Sequence, residues 1–129
     1  MNFPKELKYT KTHEWAQRNG KTIRVGITDY AQKEISDVVF IELPKMNQSA
    51  QIAKPVAVVE SVIAAFDIYA PLSGKVTKVN PDLESDPGRV NHECYGAGWF
   101  FEMDIANEAE WNTLLSAQDY EKFVSAAAH

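Results

Sequence analysis

The chain has 129 residues, 45% of them hydrophobic and 24% charged, with a formal net charge of −5. That is enough for one domain with a real apolar core, expected to span residues 1–129, and the lack of a basic patch interleaved with aromatics argues against nucleic acid. No apolar run approaches the roughly 20 residues a membrane span needs, and a single cysteine, Cys94, excludes an internal disulfide and fits a reducing compartment.

The opening MNFPKELKY has neither the apolar run of a signal peptide nor the Arg/Ser-rich character of a transit segment. The expected location is therefore the cytoplasm or, for a processed eukaryotic chain, the mitochondrial matrix. HEWAQRNGKTIRVGIT predicts a hairpin turning at Arg18-Asn19-Gly20-Lys21, because Asn-Gly accepts the positive φ that a tight turn demands. Thr28-Asp29 is suited to cap a short helix over DYAQKEIS, and VVFIELP then has strand composition. KMNQSAQIAKP reads as an irregular polar connection into a strand at PVAVVES. Within it, Asn47-Gln48-Ser49 matches a glycosylation sequon, which has no consequence without secretion.

Residues 58–76, VVESVIAAFDIYAPLSGKV, predict two strands folded back on each other with apolar VIAAF at the bend. Bends face water and are normally polar, so Ile63 and Phe66 stand out. A tight bend of small residues on a two-strand arm would hold one side chain, that of Ile63 or a close neighbour, away from the body of the domain. Pro71, unable to donate to a ladder, suits a strand end, and Ser73-Gly74 the next turn. KVTKVN predicts another strand, and PDLESDPGRVNHECYGAG, with two prolines and three glycines, a long loop. Trp99 to Ile105 predicts the last strand. Asn107 then opens a tail in which Trp111, Leu114 and Leu115, followed by Tyr120, Phe123 and Val124, fall at helical spacing, so two short helices are expected. Many short strands with small terminal helices indicate a β-dominated sandwich or partly closed barrel.

Catalytic chemistry finds little support along the chain. His13, His92 and His129 are the only histidines, and apart from the His92/Cys94 pair the candidate ligands are scattered, so no metal is expected. Ser61 and Ser73 lack a nucleophile-elbow context, and Asp82, Glu84 and Asp86 read as a solvated loop. Cys94 with His92 two residues away remains the one formal nucleophile candidate.

The blocks LKYTKTHEW, VGITDYAQ, VVFIELP, ESVIAAFDIYAPLSGKV and YGAGWFFEM, in this order and spacing, resemble the H protein family of the glycine cleavage system over nearly the whole chain. The resemblance implies a mainly β barrel–sandwich hybrid of the lipoyl/biotinyl hammerhead type, with a short helix in the N-terminal half and helices at the C-terminus. It also implies a non-enzymatic carrier, expected to be monomeric, whose covalent lipoyl-lysine shuttles an aminomethyl group. The implied partners are glycine decarboxylase (P), the aminomethyltransferase (T), dihydrolipoamide dehydrogenase (L) and a lipoate-handling enzyme.

The family motif usually reads E-S-V-K-A at the lipoyl position, whereas this chain reads Glu60-Ser61-Val62-Ile63-Ala64. A sec-butyl group has no nitrogen to acylate, so no lipoyl group is expected at Ile63, and Lys54, Lys75 and Lys78 lie away from the bend. Phe66 stands where the family usually has a small residue, Tyr30 where a histidine is common, and Cys94 where proline is frequent. By the same resemblance, Glu14, Tyr30 and Asp67 border the cleft for the loaded arm, and Glu60 and Gly74 belong to recognition by the lipoylating enzyme. Taken simply as residues, Glu14 would be a strand-surface carboxylate and Gly74 a turn glycine with positive φ. Three readings stay open: a natural docking or regulatory module with an exposed Ile63/Phe66 contact point, a carrier whose lysine was replaced by design, or a remnant without function at the tip.

Overall fold

A computed structural model describes residues 1–127. Strands β1 (Lys8–Tyr9), β2 (Glu14–Asn19) and β3 (Thr22–Ile27) lead to helix α1 (Asp29–Ile35), followed by β4 (Val38–Glu42), β5 (Ser49–Ala50), β6 (Pro55–Ser61), β7 (Ala65–Tyr69) and β8 (Gly74–Val79). Short helices α2 (Asp82–Ser85) and α3 (Arg89–His92) precede β9 (Phe101–Asp104), and α4 (Glu108–Trp111) and α5 (Ala117–Ala127) close the described chain.

The β2–β3 hairpin forms as expected. Asn19 pairs with Thr22, and Gly20 supplies the left-handed residue of the turn at φ 65°. Thr28 caps α1 by accepting from the Ala31 N–H at 3.1 Å. The strands form two antiparallel sheets: a six-stranded one in the order β1-β2-β3-β9-β8-β5, and a three-stranded one in the order β4-β6-β7. Alternating side chains of β3 (Ile23, Val25, Ile27) meet Ile41, Val59 and Ile68 of the smaller sheet in one core, with Leu72, Val76, Phe101 and Met103. Register shifts in β4, β6 and β8 add the local twist that lets short strands wrap this core.

A second cluster, Leu7, Tyr9, Trp15, Ala117, Tyr120 and Val124, fastens α5 to the large sheet. Tyr120 stacks on Tyr9 with centroids 4.7 Å apart. The expected mainly β architecture with a short helix and C-terminal helices is therefore present, as two antiparallel sheets that do not close into a barrel.

Two segments carry more structure than their composition suggested. The 81–98 loop contains α2 and α3, whose turns are anchored by buried Leu83 and Val90. The connection before β6 contributes β5, which pairs with β8 through Ser49↔Lys75 and Ala50↔Gly74. Four-residue helices and two-residue strands are too short to leave a periodic signal and exist because of what they pack against. His129 lies outside the described residues.

Candidate functional site

The bend between β6 and β7 is built by Ser61. Its backbone N–H donates to the Ala64 carbonyl at 2.8 Å, and its buried Oγ accepts from the N–H groups of Ile63 (3.2 Å) and Ala64 (3.4 Å). The Val62 N–H reaches the Asp37 carbonyl at 3.0 Å, tying the tip to the start of β4. The turn thus satisfies its backbone without the side chains of Val62 and Ile63, which are left 62% and 61% exposed. The sequence predicted an arm that holds out Ile63 or a close neighbour, and the structure exposes both Val62 and Ile63.

Phe66 behaves differently from that prediction. The bend ends at Ala64 and β7 begins at Ala65, so Phe66 is a strand residue opposite Val59, half-buried against the main core. It is not part of an exposed contact point with Ile63, because the alternation of β7 turns it inward. There it helps line a cleft of about 280 Å³ with Thr12, His13, Tyr30, Glu34 and Asp67. The structure brings Tyr30 and Asp67 together on this cleft, with Glu14 directly behind Thr12.

Glu14 is a buried carboxylate, only 1% exposed, and so not a strand-surface group. Its Oε1 accepts from the hydroxyls of Thr12 (2.5 Å) and Thr10 (2.6 Å), and its Oε2 from the Tyr69 N–H (3.2 Å). Burial pushes its pKa up to about 7, against the downward pull of those hydrogen bonds. His13 adopts φ 76°, and its Nδ1 lies 2.7 Å from the Tyr120 hydroxyl, which is 2.8 Å from Thr28 Oγ1. Burial lowers the His13 pKa, with Glu34 pulling the other way. The spacing Thr10-x-Thr12-x-Glu14 is the only sequence signal for this buried network, and it is a weak one.

Glu60 is exposed on the outer face of the small sheet, one residue before the tip turn. Gly74 lies in the other sheet and has no positive φ, so the turn-glycine expectation fails. Its lack of a Cβ serves close approach instead: a Cβ there would overlap the Asp104 carbonyl oxygen, and it would sit 2.5 Å from Asp104 Oδ1. Glu60 and Gly74 therefore belong to different sheets.

The other candidates take structural positions. Cys94 is buried and its thiol is pushed up to about 12 by burial, while His92 is exposed. A thiol held protonated offers no nucleophile. The Ser73 hydroxyl donates to Glu110 at 3.0 Å. Among the described residues, no group of three or more His, Cys, Asp or Glu is arranged to hold a metal, and no helix is long and apolar enough to cross a membrane.

No amine stands at the tip. Lys54 precedes the far end of β6, Lys75 pairs with Ser49, and Lys78 lies 5.7 Å over the Trp99 ring. The residues at the bend therefore do not fit a lipoyl group held as a lysine amide.

A family model described as "Glycine cleavage H-protein" matches residues 7–127. Among curated relatives, the glycine cleavage system H protein of Carboxydothermus hydrogenoformans is 49% identical over 121 residues, covering 94% of this chain and 93% of the relative. That of Endomicrobium trichonymphae is 48% identical over 124 residues, covering 96% of this chain and all of the relative (100%). The crystal structure of a glycine cleavage system H protein from Mycobacterium marinum superposes with a TM-score of 0.82 at 32% identity, covering 91% of this chain and 94% of that one. With the two-sheet fold, the presented hairpin tip and these likenesses together, the chain belongs to the glycine cleavage H-protein family.

Proposed function

We propose that this protein is an H-protein homologue that docks on enzymes of the glycine cleavage system without carrying a covalent arm, acting as a binding or regulatory module. The family is a lipoate carrier rather than a catalyst and works with the P, T and L proteins. One observation carries the proposal: the exposed residue at the tip of the Ser61 turn is Ile63, and isoleucine has no nitrogen to acylate. Lipoyl-lysine chemistry needs an amine on this turn, and the turn supplies none.

Phe66 supports the same reading. It occupies space in the cleft lined by Tyr30 and Asp67, where the family resemblance puts a small residue and the resting place of a loaded arm. Two departures at one functional unit also favour natural divergence over a single designed replacement. The two exposed carboxylates kept beside them, Glu60 and Asp67, fit a surface retained for partners. The compartment assigned by this reading is the one expected from the sequence, the bacterial cytoplasm or the mitochondrial matrix.

The test is the intact mass after co-expression with a lipoylating enzyme and lipoate. The expected result is no lipoyl mass shift for the natural chain, and a single shift once Ile63→Lys restores the amine to the pre-formed turn. A lipoyl group on Lys54, Lys75 or any other residue of the natural chain, supporting glycine turnover, would overturn the proposal.

A further inference from the structure

Six large apolar side chains of the described residues are exposed, and four of them, Val39, Phe40, Val62 and Ile63, collect at one end of the three-stranded sheet. The hydrogen bond from Val62 to Asp37 and the pairing of Val38 with Ser61 join the tip to the start of β4. The exposure is built into the backbone. β4 shifts register between Val38 and Phe40, so Val38 and Ile41 enter the core while Val39 (53% exposed) and Phe40 (54%) both stay outside.

Cross-strand partners share a face, so Phe40, Glu60 and Ala65 form one outward row and Glu42, Val58 and Asp67 the next. The charged side chains carried by the three strands of this sheet have one sign. Residues 34–44 and 55–74 contain Glu34, Asp37, Glu42, Glu60 and Asp67, and all of the 13 lysines and arginines lie elsewhere in the chain.

We infer that this end of the small sheet is a docking surface for an apolar socket rimmed by lysine and arginine on a partner protein, with Phe40 and Ile63 as its two anchors. The inference rests on the docking role proposed above and specifies the surface that performs it. Clustered exposed apolar side chains mark interaction sites, and aromatic anchors at the centre of a contact carry most of its energy. The carboxylates select the occupant. A second copy meeting this face about a two-fold axis would set Glu60 and its neighbours against their own images, and an anionic membrane or nucleic acid would meet the same repulsion. Isoleucine at residue 63 is then an anchor in its own right, able to enter a socket that a charged lysine would leave.

The test is titration calorimetry of the full chain against purified P, T and L proteins, each at low and at physiological salt. The variants are Phe40→Ser, Ile63→Ser and Glu60→Gln, with circular dichroism as the folding control. At least one enzyme is expected to bind the natural chain, with affinity falling as salt rises. Phe40→Ser and Ile63→Ser should each weaken that binding by about tenfold or more, and Glu60→Gln should flatten the salt dependence. Ile63→Ser decides the matter if Phe40→Ser fails to fold, because the tip turn uses no side-chain atom of residue 63. Undiminished binding by the serine variants, or self-association that Phe40→Ser abolishes, would overturn this surface assignment while leaving docking on the glycine cleavage enzymes standing. Failure of all three enzymes to bind the natural chain would overturn both.

Discussion

Replacing Glu14 by glutamine isolates the cost of burying a carboxylate behind the cleft. The carboxyl is 1% exposed, and burial raises its pKa from the usual 4.5 to about 7. Between those values the folded protein retains a proton that the unfolded chain has released. The stabilising contribution is therefore complete below about pH 4.5 and is lost as pH rises through about 7. At about 1.4 kcal/mol per pKa unit, linkage predicts that this group alone makes the protein roughly 2–3 kcal/mol less stable at pH 8 than at pH 5.

Glutamine fits the same space: its amide oxygen can accept from the Tyr69 N–H, and its NH2 can face the Thr10 and Thr12 hydroxyls, which rotate to accept. The opposing trend from His13, whose lowered pKa favours the folded state as pH rises past its unfolded value, is common to both proteins and cancels in the comparison. Urea unfolding of the natural chain and Glu14→Gln at pH 5, 6, 7 and 8 should give curves that diverge by about that amount. Parallel pH profiles would refute the reasoning, because they would mean that Glu14 titrates alike in folded and unfolded chains.

Other consequences are local and separately measurable. Gly74→Ala should destabilise the protein by about 1–3 kcal/mol in chemical unfolding, since the new methyl group meets the Asp104 backbone rather than a yielding side chain. Ser61→Ala should cost about 1 kcal/mol and speed amide exchange at Ile63 and Ala64 before any other site, because their N–H groups lose the Oγ acceptor. Cys94 should react with a thiol reagent at neutral pH far more slowly than free cysteine, being buried with its thiol pushed up to about 12. A fast reaction there would reopen a nucleophilic role. Ile63→Lys should be lipoylated by a lipoylating enzyme while Lys54 in the same protein is not, as read by peptide mapping, because only the first sits on the presented turn.

Much of the fold was legible because its signals are local. Alternation along β3, Asn19-Gly20 at the hairpin and Thr28 before α1 each encode a conformation through neighbours only a few residues away. The segments that were misread, α2, α3 and β5, have two to four residues each and no period of their own. Phe66 was misread for a related reason. An apolar run at a bend gives no indication of where the turn stops and the strand begins, and the Ser61 hydrogen bonds end it at Ala64. The outward Val39-Phe40 pair was hidden in a run that reads as buried strand, because a register shift leaves no mark in composition.

The sequence by itself determined the chemistry of the tip, since whether a side chain carries a nitrogen depends on its identity and on nothing around it. It also indicated a two-strand arm holding out Ile63 or a close neighbour, through the small residues of the bend. Only the tertiary structure decided that Glu14 is buried, that Gly74 makes room for Asp104 and not for a turn, and that four exposed apolar residues share one acidic face. These properties are set by contacts between segments tens of residues apart, and desolvation, overlap and charge density do not exist for a residue until those segments meet.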